Sequence, residues 1–107
     1  MDFDKYQSLA RRTQNRRLNH DQRLNHALRG LPAEVGEVCG IFQKIYQGHS
    51  LNIDKVVDEM GDVMWFLAEL ADELGVSLND VAENNVAKLR KRYPDGFSEE
   101  DSLHREV

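Results

Sequence analysis

At 107 residues, with 40% hydrophobic and 31% charged side chains and a net charge of −5, the chain has the make-up of one soluble, helix-rich domain with a modest core, a size that often gains stability by oligomerising. The acidic balance argues against general nucleic-acid binding, and no apolar segment approaches the roughly 18 residues of a membrane span. Met1-Asp2-Phe3-Asp4 lacks a basic region followed by an apolar run, so no secretory signal is expected. The single cysteine, Cys39, excludes an intramolecular disulfide framework and suits a cytoplasmic protein.

The first helix is expected from Asp2 to about Asn15, where Phe3, Tyr6, Leu9, Ala10 and Thr13 recur at helical spacing. Asn15 to Gln22 is polar and reads as a turn or loop. His20 and His26 have no second His or Cys at ligand spacing, so no zinc site is expected. The second helix covers roughly Arg23 to Gln47. Pro32 lies inside it, so either a short helix ends near Gly30 and a new one starts at Pro32, or one helix is kinked there. From Pro32 the stripe Val35, Val38, Ile41, Phe42, Ile45 is regular, Cys39 reads as a buried or half-buried helix residue, and Gly48 is the stop.

The third helix is expected from about Ile53 to Leu74, with a core stripe of Ile53, Val56, Val57, Met60, Val63, Met64, Leu67, Ala71 and Leu74. Glu59 and Asp62 project beside that stripe, on a flank shared with Phe66 and Leu70. Asp58, Glu69, Asp72 and Glu73 read as ordinary surface. Gly75 ends the helix, and Ser77-Leu78-Asn79-Asp80 signals the N-cap of a fourth, which carries Leu78, Val81, Ala82, Val86 and Leu89 and ends near Arg92. Tyr93-Pro94-Asp95-Gly96-Phe97 is a turn. The tail, about 98–107, is polar and expected to be ordered only against a partner subunit. The whole chain, 1–107, reads as one domain.

The chemistry concentrates in two couplets, Glu34-Val35-Gly36-Glu37 and Glu59-Met60-Gly61-Asp62. Carboxylates three positions apart share one helix face. Both couplets lie inside apolar-periodic runs, and if the two helices pack, four carboxylates converge. Mg²⁺ takes hard oxygen ligands, commonly a few carboxylates together with substrate phosphates. Glu34, Glu37, Glu59 and Asp62 supply that ligand type. On the fourth helix Asn85, Lys88 and Arg92 stand at i, i+3 and i+7 on one face, where the cations suit a polyphosphate and Asn85 a phosphate or sugar. A basic helix end that favours the C-terminal dipole explains the same pattern. Lys44, two turns after Glu37, is a further phosphate candidate. Trp65, Phe66 and Tyr93 suit stacking on a base, and equally suit helix packing or a subunit contact.

Glu34-x-x-Glu37, a 21-residue interval and Glu59-x-x-Asp62 resemble the signature of the MazG-like all-α nucleoside triphosphate pyrophosphohydrolases. Residues 30–38 resemble that family's first motif and 58–67 its second. Asn85-x-x-Lys88-Leu89-x-x-Arg92-Tyr93-Pro94-x-Gly96-Phe97 resembles its tail, so the likeness covers about residues 20–97. The chain is expected to form an all-α, four-helix-bundle-like fold of MazG type, with four main helices and a short extra segment near residues 18–30. The bundle core either closes within one subunit or, as apolar positions such as Trp65 and Leu70 favour, is completed by a partner subunit. The resemblance supports a homodimer or a dimer of dimers. It implies hydrolysis of a nucleoside triphosphate to the monophosphate and pyrophosphate with Mg²⁺, or Mn²⁺ in its place, and the four carboxylates as metal ligands. Glu37 is favoured as the glutamate that orients or deprotonates the water. It also favours Lys88 as a substrate-binding residue. Within the same superfamily a dUTPase-type or phosphoribosyl-ATP pyrophosphohydrolase is the close alternative. A non-enzymatic helical interaction module with acidic faces is the alternative from another class.

Overall fold

A computed structural model describes residues 1–105. Helices α1 (Phe3–Arg11), α2 (His20–Gln43), α3 (Ile53–Leu74), α4 (Leu78–Arg92) and α5 (Glu99–Leu103) follow one another, with a 3-10 turn (Lys44–Gln47) after α2 and no strand among the described residues. The fold is all-α, with four main helices as the periodicity predicts. None of these helices is long and apolar enough to cross a membrane.

Local chemistry sets the boundaries. Asp2, Asn19, Asn52, Ser77 and Ser98 each accept a backbone N–H three residues on, which satisfies donors that a helix start otherwise leaves unpaired. Gly48 and Gly75 end their helices at φ 93° and 71°, a left-handed conformation that costs glycine nothing.

Two expectations about α2 change. The helix begins at His20 rather than Arg23, because Asn19 and Gln22 form a full capping box that draws the end of the predicted loop into the helix. It also runs unbroken through Pro32 to Gln43, so the segment near residues 18–30 is its first half rather than a separate helix. Proline removes one intrahelical bond, and α2 offsets that loss by packing along α3, the most extensive helix–helix contact of the chain. The polar tail opens with the short α5, and its last two residues, Glu106 and Val107, lie outside the described residues.

α2 and α3 pair antiparallel in a fixed register. Arg23 meets Glu73, His26 meets Glu69, Gly30 faces Phe66, and Glu34 reaches Glu59 and Asp62. Each step advances one helical turn on α2 and retreats one turn on α3. This corrects the reading of Glu69, Asp72 and Glu73 as ordinary surface. Their side chains are 1%, 11% and 7% exposed: α2 covers Glu69 and Glu73 on the flank of α3 that carries the couplet, and α1 covers Asp72.

α1 is tied across α3 by polar contacts. Asp72 accepts from Gln7 Nε2 at 2.7 Å, Arg11 Nη2 at 2.8 Å and Gln14 Nε2 at 2.8 Å. Gln7, itself buried, also donates to the Val76 carbonyl and accepts the Leu78 N–H at 2.7 Å, so one side chain holds α1, the end of α3 and the start of α4. Burial raises the Asp72 pKa, but the three donors outweigh it and hold it below the ordinary value. Its contribution to stability is therefore present above the ordinary aspartate pKa and is lost as pH falls through the lowered folded value. Asp72→Ala is expected to cost about 2–3 kcal/mol, read by chemical denaturation at pH 7, and the cost should shrink in acid.

The apolar residues do not close a core within the described chain. The buried hydrophobics are Ala10, Ala27, Val56, Ala68 and Ala71, while Ile53, Val57, Met60, Met64, Leu67 and Leu74 of the predicted core stripe are exposed. Cys39 is exposed as well, contrary to expectation. α2 covers the flank of α3 beside the stripe, so much of the stripe is left bare. The radius of gyration is 17.1 Å, against about 13 Å for a compact domain of this length.

Candidate functional site

The two couplets meet where the α2–α3 ladder reaches its fourth rung. Carboxylate oxygens of Glu34, Glu59 and Asp62 all lie within 4.8 Å of one another. Glu34 comes from the middle of α2, two residues beyond Pro32, and the other two from the first half of α3. Glu34 and Glu59 are half-buried and Asp62 is exposed. Glu37 stands one turn beyond Glu34 on α2, outside that trio, yet near enough for its charge to act on Glu59.

The electrostatics follow from this crowding. The Glu59 pKa is raised, first because its carboxyl shares a hydrogen bond with Glu34, then by loss of solvent and by the charges of Glu34, Asp62 and Glu37. A carboxyl set so among like charges binds a proton or a cation in preference to standing alone. Tyr6 of α1 completes the surroundings. Burial, and after it the negative charge of Asp62, raises its phenol pKa.

The donor set fits a hard divalent cation. It is all oxygen, comes from two rigid helices, and leaves room for ligands from solvent or substrate. Soft or imidazole-binding metals have no thiolate or ring nitrogen in the cluster.

The other sequence-predicted residues are on the 3-10 turn, α4 and the turn after it. Lys44 is exposed at the junction of α2 and the 3-10 turn. Asn85 is exposed on α4, and Lys88 and Arg92 are half-buried. Tyr93 packs on Phe97, with ring centroids 5.5 Å apart. The main contacts of α4 are with α1 and α3. Among the described residues none of these five side chains forms an ion pair or hydrogen bond with Glu34, Glu37, Glu59 or Asp62.

Sequence reasoning missed the rungs next to the cluster. His26 Nδ1 donates to Glu69 Oε1 at 2.6 Å. Phe66 lies between that pair and the carboxylates, in edge contact with Trp65 at 5.1 Å and tilted against His26 at 5.3 Å. Trp65 Nε1 donates to Thr13 Oγ1 at 2.7 Å. A signal for the pair existed. His26 is eight residues before Glu34 and Glu69 seven after Asp62, both helical repeats of the couplet face.

Residues 22–97 match a family model described as the MazG nucleotide pyrophosphohydrolase domain. "Gene 37 protein" of Mycobacterium phage L5 is 36% identical over 74 residues, covering 64% of this chain and 65% of that protein. "Uncharacterized protein YvdC" of Bacillus subtilis (strain 168) is 49% identical over 39 residues, 36% of this chain and 37% of that protein. The chain thus spans less than two thirds of the length of either relative. No solved structure matches the chain.

Proposed function

The chain belongs to the MazG nucleotide pyrophosphohydrolase family, and on that premise we propose that it hydrolyses nucleoside triphosphates to the monophosphate and pyrophosphate, with Mg²⁺ held by Glu34, Glu59 and Asp62. The observation that carries the reading is the convergence of those three carboxylates within 4.8 Å at the α2–α3 interface. Unopposed, their charges repel, and a divalent cation offsets that repulsion. When bound, Mg²⁺ supplies Lewis acidity toward phosphate oxygens and water.

The chain's own residues do the rest. Glu37 flanks the trio without joining it, which leaves its carboxylate free to orient the attacking water and take its proton. It remains a ligand candidate as well, since it stands three residues from Glu34 on the same helix face and its charge acts on Glu59. Water adds to a phosphorus of the triphosphate, the P–O bond to the pyrophosphate group breaks, and one proton passes to Glu37. Lys88 and Arg92, with Asn85 on the same face of α4, hold the polyphosphate, and Lys44 and Tyr93 border the substrate. The enzyme acts as a homodimer or homotetramer. The exposed stripe of α3 and the expanded dimensions support that state, since a second copy would cover the stripe. The role that follows is control or cleansing of the nucleotide pool in the cytoplasm.

Two measurements test this. Mg²⁺ at a hundred times its dissociation constant is expected to stabilise the protein by about 2.7 kcal/mol, seen as a higher melting temperature that EDTA abolishes. Pyrophosphate and a monophosphate are expected in equal amounts from at least one common triphosphate. No thermal shift and no pyrophosphate from any nucleotide would favour a helical interaction module instead.

A further inference from the structure

The most completely buried large side chain in the described chain is a carboxylate, Glu69, at 1% exposure. One oxygen, Oε1, accepts from His26 Nδ1 at 2.6 Å. The other, Oε2, is buried and has no hydrogen-bond partner from the chain. Buried polar atoms are almost always partnered, so one that is not marks a place where a further donor belongs.

Its surroundings specify the donor. Glu69 lies seven residues beyond Asp62 on the same flank of α3, about 10 Å along the axis. That is the span from a nucleotide's phosphates to the edge of its base. Trp65, Phe66 and His26 pack ring against ring around it, with centroids 5.1–6.1 Å apart, a surface that suits an aromatic heterocycle. The His26 side chain is 46% exposed, and Trp65 and Phe66 are half-buried. An ionised carboxylate only accepts hydrogen bonds. With Oε1 committed to His26, Glu69 offers a single acceptor, which matches one N–H of an exocyclic amino group and repels a carbonyl at the same ring position.

Resting on the proposed triphosphate hydrolysis at the neighbouring carboxylates, we infer that Glu69, held by His26, reads the base of the substrate and selects one bearing an amino group where its counterpart bears a carbonyl, as cytosine against uracil and adenine against hypoxanthine. Phe66 and Trp65 pack against the base, and Glu69 Oε2 accepts from its amine. His26 is the positioning residue that fixes the carboxylate's orientation.

The test compares substrates that differ only at that ring position. Wild-type kcat/KM is expected to favour CTP over UTP, and ATP over ITP, by at least about 100-fold. Glu69→Gln keeps the size and an acceptor for His26, but its carboxamide also donates. It is expected to lose CTP turnover and keep or gain UTP turnover, which collapses the ratio and shows at once that the variant folds. Equal wild-type rates within each pair would overturn the inference. So would an equal fall for all four substrates in Glu69→Gln, which means a packing role, or an unchanged ratio, which means that Oε2 is served by water alone. If the wild type hydrolyses no nucleotide, the hydrolysis reading fails by itself. The base reading is then decided by fluorescence of Trp65, the chain's one tryptophan. Saturable quenching by CMP but not UMP supports it, and no quenching by either overturns it.

Discussion

Glu59→Gln is expected to lower pyrophosphate release by about 10²–10³-fold or more and at the same time to raise the melting temperature of the metal-free protein. Both effects have one cause. Glu59 faces Glu34 directly and feels Asp62 and Glu37 as well, so its ionised form is disfavoured in the fold. A raised pKa means that the folded chain binds that proton more tightly than the unfolded chain. Metal-free stability therefore falls as pH rises from the ordinary glutamate pKa through the raised folded value, and the loss is complete above it. The neutral amide removes the repulsion at neutral pH and removes a metal ligand with it. The Mg²⁺-induced thermal shift should shrink in step with activity. Glu37→Gln provides the contrast. Outside the trio, it should abolish turnover and preserve most of the metal shift. A Glu59→Gln protein that melts lower than wild type without metal would show that the cluster is not strained by its own charge. Near-normal turnover in Glu37→Gln would remove that residue from the reaction.

This trade of stability for function was legible in the sequence only in part. The couplets stood out because i, i+3 carboxylates within apolar periodicity are hard to explain as a solvated face, and the α3 limits followed from Gly75 at its end and the start of apolar periodicity at Ile53. Which flank of α3 meets α2 was not readable. A helix wheel gives the apolar direction of one helix, but α2 lies on the flank beside it and α1 crosses the other side, so the side chains of Glu69, Glu73 and Asp72 are covered while Met60 and Val57 are exposed. Cys39 was misread for the same reason, since its helical position alone does not say which side a neighbour covers. The i, i+3, i+7 face of Asn85, Lys88 and Arg92 is intrinsic to α4. Its position relative to the couplets depends on how α4 leaves Gly75 and on any second subunit, and neither is encoded in a local pattern.

The ladder that places both the carboxylates and Glu69 has a small residue, Gly30, at the rung where α2 meets Phe66. A Cβ built on Gly30 would lie 2.1 Å from Phe66 Cε1, 2.3 Å from Cζ and 2.5 Å from Cδ1. The ring cannot simply swing away, because Trp65 and His26 pack against it. In an exposed helix interior, Gly→Ala gains about 1 kcal/mol. Here overpacking, at about 1–3 kcal/mol, opposes that gain, and the contact distances put the clash at the upper end. Gly30→Ala is therefore expected to destabilise by about 1–2 kcal/mol, a fall in melting temperature of about 4–8 °C for each kcal/mol in a domain near this size. In a Phe66→Ala background the clash partner is gone and only the propensity gain remains, so the same substitution should stabilise. The reversal of sign, measured as a double-mutant cycle with a coupling of about 2–3 kcal/mol, separates contact with Phe66 from any backbone requirement of Gly30. Gly30 lies in a continuous helix and is not among the glycines with positive φ, so no left-handed conformation competes as the explanation. Additive effects in the cycle would mean that α2 and α3 do not approach at this rung. The register that aligns Glu34 with Glu59 and Asp62 would then need another origin.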